Sequence, residues 1–177
     1  MSLYCISVKT GLEEKFKENV LPLVNGNNCA FQGFIHILRK RMRLKNGKEY
    51  FDAFFPGYVF LETEECEASK LYVLSGEKYF LRFLPFLPSN SFVSPLVKGD
   101  LEIVSSILRF GSTVGIVPVK FDAGDRVIIT DGPFKDFSGN VIAVNRRNKR
   151  LNIQIDFMNG VRVVGLCYEE VQKQPAK

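Results

Sequence analysis

GDRVIITDGPFKDFSGNVIAVNRRNKRLNIQIDFMNGVRVV, from Gly124 to Val164, is the stretch whose reading settles the class of this chain. Short runs rich in β-branched residues are divided by turn residues at Asp131-Gly132-Pro133, Ser138-Gly139-Asn140, Asn145 to Lys149 and Asn159-Gly160. Strands of that length and spacing predict a small all-β barrel. The cations Arg146, Arg147, Lys149 and Arg150 fall within one predicted hairpin, and nothing in the stretch is suited to covalent chemistry. The combination points to a binding module rather than an enzyme.

Upstream the chain has a different character. Leu3 to Val8 alternates as a strand does. In LEEKFKENVLPLV, Leu12, Phe16 and Val20 recur every four residues, with Glu13 and Glu14 in the first turn, where a helix dipole favours them. Phe34 to Leu44 reads as a strand, Asn46-Gly47 as a two-residue hairpin turn, and Lys48 to Phe54 as the returning strand. Tyr58 to Glu62 is predicted as a further strand, and Glu64 to Ser75 as a short helix closed by Gly76. The apolar run from Lys78 to Leu87 is interrupted by Pro85 and followed by Pro88. Asp100 is the expected N-cap of a last helix that buries Leu101, Val104 and Leu108 and stops at Gly111. Gly111 to Lys120 carries Gly and Pro without amphipathic period, which suits a linker. The expected organisation is a mixed α+β domain over residues 1–111, a linker over 112–120 and an all-β barrel domain over 121–174.

Composition bounds the partners. The chain has 177 residues, a hydrophobic fraction of 46%, a net charge of +5 and a pI near 9.0, a balance that favours polyanions weakly. No apolar run approaches the ~20 residues of a membrane span, and the N-terminus lacks the pattern of a secretory signal. Cys5, Cys29, Cys66 and Cys167 stand apart with no CxxC pair, so neither a zinc site nor a disulfide framework is expected. Cys5 and Cys167 lie in apolar runs and read as buried thiols in a reducing cytoplasm. His36, flanked by Ile35 and Ile37, reads as part of a strand face rather than a catalytic base. The carboxylates occupy helix starts and turns, and no glycine loop with a following lysine cradles phosphate. No cofactor and no metal are expected.

Three constellations remain as candidates for function. AFFPGYVFLE, Ala53 to Glu62, gathers Phe54, Phe55, Tyr58 and Phe60 around a Pro-Gly kink. These rings are either core or, for Phe55 or Tyr58, anchors of an exposed apolar patch. RKRMRLKNGK, Arg39 to Lys48, places Arg39, Arg41 and Arg43 on one parity of a strand. They form either a row that follows a phosphate backbone or a solvated edge that discourages aggregation. NRRNKR, Asn145 to Arg150, with Lys135 and Arg162 nearby in the domain, favours nucleic acid. Clustered cations repel one another until a partner supplies negative charge, and arginine can fork onto phosphate or stack on a base.

These motifs together carry a resemblance. GDRVIITDGPFKDFSGNV resembles the KOW motif, FFPGYVFLE the signature of the NGN domain, and LYCISVKTGLEEKF the opening strand and helix of the NusG-type transcription elongation factors. The likeness runs through nearly the whole chain in the family's order. It implies an antiparallel sheet flanked by helices at the N-terminus and an SH3-like KOW barrel at the C-terminus. It also implies an N-terminal apolar surface that binds the clamp helices of the largest RNA polymerase subunit. By position, Leu3, Tyr4, Phe54, Phe55, Pro56, Gly57 and Tyr58 fall on that surface, and the KOW domain recruits a further partner. Two departures stand out. The family's opening Trp-Tyr is Leu3-Tyr4 here. The segment that in the family carries an Ile-Phe-Gly-Arg type of sequence and touches a ribosomal protein and the termination factor Rho reads Phe157-Met158-Asn159-Gly160 here, without that aromatic and arginine.

The added charge of NRRNKR is closer to specialised paralogues of the LoaP kind. The expected function is processive antitermination by a monomeric cytoplasmic factor. Its polymerase site comprises the seven positions above. Its nucleic-acid site draws on Lys135, Arg146, Arg147, Lys149, Arg150, Arg39, Arg41 and Arg43, with Phe157 and Met158 facing a KOW partner. The alternative is a housekeeping adaptor that links polymerase to the ribosome or Rho without touching nucleic acid. The period-two alternation of Val127 to Ile129 and Leu151 to Phe157 argues against a helical alternative state of the kind seen in RfaH.

Overall fold

The computed structural model describes residues 1–27, 29–65, 67–84 and 93–171. Its strands are β1 (Ser2–Val8), β2 (Gly33–His36), β3 (Arg39–Arg43), β4 (Glu49–Ala53), β5 (Tyr58–Thr63), β6 (Phe80–Leu84), β7 (Thr113–Val114), β8 (Val117–Phe121), β9 (Val127–Ile129), β10 (Val141–Asn145), β11 (Arg150–Phe157) and β12 (Gly160–Glu170). The α-helices are α1 (Glu13–Asn25), α2 (Ala68–Leu71) and α3 (Lys98–Arg109). The chain divides into two compact units. Met1–Leu38 and Phe55–Leu101 form one; Arg39–Phe54 and Glu102–Lys177 form the other.

The first unit is built on a four-stranded sheet in the order β2-β5-β1-β6, with β5 antiparallel to both β2 and β1 and β6 antiparallel to β1. β1 is interior to the sheet, which is why Tyr4, Cys5 and Ile6 are all buried and strict alternation is lost there. Phe16, Val20 and Val24 form the apolar stripe of α1 and join Ile6, Val8, Ile35, Val59 and Leu61 in one core. The expected helix over 64–75 is shorter than predicted. Thr63 Oγ1 accepts from the Glu65 N–H at 3.0 Å and Glu65 Oε1 from the Glu67 N–H at 2.9 Å. These local turns hold the chain out of helix until Ala68. A 3-10 turn then covers Tyr72–Gly76, and Gly76 has no positive φ, so it is not the left-handed cap expected. The expectation for Lys78 to Leu87 is met only by β6; residues 85–92, including Pro85 and Pro88, lie outside the described residues.

α3 begins two residues before Asp100, which therefore sits in the first turn instead of capping it. Its buried face is Ile103, Val104 and Ile107; Leu101 is exposed and Leu108 half-buried, so the predicted stripe is rotated. Gly111, at φ +87°, ends the helical run as expected, in the left-handed region that glycine enters without cost.

The second unit contains a five-stranded sheet, β10-β11-β12-β8-β9, and a three-stranded sheet, β4-β3-β7. β11 follows the predicted period of two: Leu151, Ile153, Ile155 and Phe157 are buried in alternation. The span 112–120, expected as a linker, contains β7 and most of β8. Val117 and Val119 alternate inward, and β8 is laddered between β12 and β9. Gly and Pro masked that period in the sequence. The strand expected over 34–44 is broken at Ile37-Leu38. β2 pairs with β5 in the first unit and β3 with β4 and β7 in the second.

Both hairpin turns differ in detail from expectation. In the first, Leu44 N–H donates to Lys48 O at 2.8 Å and Gly47 sits at φ +82°, so residues 45–47 form a three-residue loop with glycine at its left-handed position. In the last, Phe157 pairs with Gly160, and the two loop residues are Met158 and Asn159, at φ 53° and 57°. That is a type I′ turn shifted by one residue from the predicted Asn159-Gly160.

Candidate nucleic-acid and partner surfaces

The Ala53–Glu62 motif is held by its backbone. Gly57, at φ +81°, donates its N–H to Glu13 Oε1 at 2.6 Å, and its carbonyl accepts from Val8 N–H at 2.8 Å. Glu13 is buried for this purpose, a role beyond the helix-dipole one read from its position. A Cβ at Gly57 would stand 2.8 Å from Thr10 Oγ1 and 3.3 Å from Val8 O. Phe55 packs edge-on against Tyr58 and beside Phe60, with ring centroids 6.4 and 6.3 Å away. It is 4% exposed, so its ring is core and forms no apolar surface patch. Phe54 belongs to the second unit and stacks on Phe134. Leu3, Tyr4, Phe54, Phe55 and Gly57 are buried, Tyr58 is half-buried and Pro56 is exposed. Leu3 and Tyr4 sit on the interior strand β1, Phe54 stacks on Phe134 and Phe55 packs on Tyr58 and Phe60, which leaves little ring surface for solvent.

His36 lies 3.0 Å from Glu62 Oε2 across β2 and β5, a strand-face partner as expected. Cys5 and Cys167 are buried free thiols, and burial pushes the Cys5 thiol well above its usual range.

The two basic segments, distant in sequence, meet in the second unit. Arg150 is half-buried and donates from its guanidinium to the carbonyl of Arg43 at 3.2 Å. Cys167 Sγ accepts from the Arg43 N–H at 3.3 Å. Between the β3–β4 turn and the β10–β11 turn lies a cleft of about 900 Å³ whose walls carry Arg43, Lys45, Arg147, Lys149 and Arg150.

The remaining predicted cations are elsewhere or occupied. Arg146 is bound to Asp125 at 2.8 Å and lies over the Phe121 ring at 4.1 Å; the Asp125 hydrogen bond raises its pKa further. Arg41 and Arg43 share one face, as parity required, but both reach Glu49, at 3.6 and 2.9 Å. Arg41 also covers the Phe51 ring at 5.8 Å. Arg39 is half-buried beside β7, and Lys135 is exposed on the 3-10 turn Lys135–Asn140; neither lines the cleft. The expected row of three arginines is therefore interrupted by a carboxylate, and only Arg43 of the three lines the cleft. Phe157 is fully buried at the end of β11, and Met158 is half-buried in its turn. Lys45 is the cleft cation that strand parity missed, because it lies in the turn.

Comparison with known proteins bears on these surfaces. Residues 1–95 match the family model described as transcription termination factor nusG, and residues 123–156 match the KOW motif. The transcription termination/antitermination protein NusG of Staphylococcus epidermidis is 24% identical over 174 residues, covering 96% of this chain and 94% of the relative. The protein of that name from Bacillus subtilis is also 24% identical, over 96% of this chain and 97% of its own length. A solved structure of Thermotoga maritima NusG has the same fold, with a TM-score of 0.60, 22% identity, and coverage of 94% of this chain and 93% of that one. The chain belongs to the NusG family of transcription termination/antitermination factors, with an NGN domain followed by a KOW domain.

Proposed function

We propose that this protein is a transcription elongation and antitermination factor that rides on RNA polymerase through its NGN domain and reaches nucleic acid through its KOW domain. The polymerase contact is assigned within residues 1–111, to the clamp helices of the largest subunit, and the second contact within 121–174. The observation that carries the reading is the pairing of a NusG match at the N-terminus with a cation-lined cleft at the KOW hairpin. At the polymerase site the backbone of the Phe55-Pro56-Gly57-Tyr58 turn is fixed by Glu13, and Pro56 and Tyr58 are what it offers to solvent. Phe55 acts behind it by packing against Tyr58 and Phe60, while Leu3 and Tyr4 are buried farther along β1, opposite Glu62 and Leu61. No bond is made or broken; the factor works by holding one state of the polymerase. The density of cations at the KOW hairpin favours the specialised LoaP-like form, acting in the cytoplasm on selected operons.

Co-purification of the tagged full chain with core polymerase tests the first half. Tyr58→Ala and Pro56→Ala should weaken retention, and the exposed Pro56→Ala should do so with the melting temperature nearly unchanged. Full retention by both variants would move the contact elsewhere.

The housekeeping-adaptor reading has one observation in its favour. Val161 and Val163 on β12 are 60% and 55% exposed, an apolar strip that a ribosomal protein or Rho could cover. Retention of the full chain on immobilised ribosomes or Rho, lost in Val161→Asp/Val163→Asp, would establish it.

A further inference from the structure

Resting on the nucleic-acid half of that reading, we infer that the cleft between the β3–β4 turn and the β10–β11 turn is one two-walled site for the phosphodiester backbone of a single strand. The first wall presents Arg43, Lys45 and Asn46 and the second Arg147, Lys149 and Arg150; Arg43 also reaches Glu49, at 2.9 Å. The walls are tied at their base by the Arg150 guanidinium on the Arg43 carbonyl, so the two turns stand side by side before any ligand arrives. Lys45, Arg147 and Lys149 form no ion pair among the described residues. Their mutual repulsion, screened in part by salt, falls further when an anion spans both turns.

Two features select the ligand. Arginine forks and lysine point charges together suit phosphate oxygens spaced along a chain. Pockets of about 300–1,000 Å³ take ligands of drug size, so a 900 Å³ cleft has room for a few nucleotides of one strand. The site thus draws on a turn from the NGN sequence region as well as the KOW hairpin, with Lys45 and Asn46 as its new members.

Fluorescence anisotropy of the full chain with labelled oligouridine RNA and oligothymidine DNA of about 12 nucleotides tests this, with salt titration of each variant. Lys45→Gln and Lys149→Gln should each weaken binding by about three- to tenfold at low salt and lower the salt slope by about 0.7. Lys15→Gln, an exposed cation on α1, should change neither. Binding of both RNA and DNA supports backbone recognition; RNA alone adds the 2′-hydroxyl to it. If Arg147→Gln and Lys149→Gln weaken binding while Lys45→Gln is silent, the KOW reading survives and the two-walled site is overturned. Tighter binding of a duplex than of either strand overturns the single-strand assignment. If no nucleic acid binds, the site and the nucleic-acid reading fall together.

Discussion

Phe54 lies face to face with Phe134, their ring centroids 5.5 Å apart and their planes 6° from parallel. Both rings are almost wholly buried, at 2% and 1% exposure. The stack joins the end of the β3–β4 hairpin to the turn after β9. Phe134→Ala should cost about 3–5 kcal/mol, the usual range for deleting a buried ring. Phe54→Ala should cost a similar amount, and the double variant should show a coupling of about 0.5–1.5 kcal/mol. Urea melts of the four proteins measure it; strict additivity would mean the rings merely neighbour one another.

Glu13 and Gly57 form the second linchpin. Glu13→Ala leaves the buried Gly57 N–H without an acceptor and should cost about 1–3 kcal/mol, whereas Glu13→Gln keeps an acceptor and should lose less. Gly57→Ala meets two penalties, the positive φ, worth about 1–2 kcal/mol, and the Thr10 hydroxyl 2.8 Å from the new carbon. Thr10→Ala should recover part of the loss in the Gly57→Ala background. Thermal melts resolve the two terms, and no recovery would place the whole penalty in the backbone.

Asp122 sets a pH dependence. Its carboxylate accepts from the backbone N–H of Arg126 and of Gly124 and pairs with the Arg126 guanidinium, all at 2.9 Å. The bond from the Arg126 backbone leads in holding its pKa below the usual aspartate value. A folded-state pKa below the unfolded one of about 3.9 stabilises the protein above that pH and is lost as pH falls through the folded value. Asp122→Asn should therefore melt below the parent at pH 7 and converge with it at a pH under the folded pKa. A difference that persists unchanged in acid would assign the effect to geometry rather than charge.

Thiol reactivity should follow burial. Cys5 is fully buried and its pKa is raised, so little thiolate exists in the folded protein. Cys29 is half-exposed, with Gln32 Nε2 donating to its sulfur at 3.1 Å. Iodoacetamide at pH 8 should label Cys29 well before Cys5 or Cys167, as peptide mass spectrometry would show. Equal labelling of Cys5 in the native protein would mean that β1 opens readily.

Local patterning was enough for much of this molecule. The stripe of α1, the alternation of β11, the glycine stop at Gly111 and the presence of two hairpin turns follow from side-chain period and backbone sterics within a few residues, and both were visible in the linear chain. So were the ordered NGN and KOW motifs that carry the family. Long-range pairing decided the rest. The break at Ile37-Leu38, the recruitment of Val117–Phe121 into a sheet and the burial of the Phe54 and Phe55 rings depend on partners that periodicity does not name. The candidate site is the sharpest case. Counting charge along the chain could not separate Arg146, neutralised by Asp125, from Arg147 and Lys149, nor add Lys45 to them. Electrostatic fields act through space over a few ångströms, so which cations share a cleft is settled only when Arg150 folds onto Arg43.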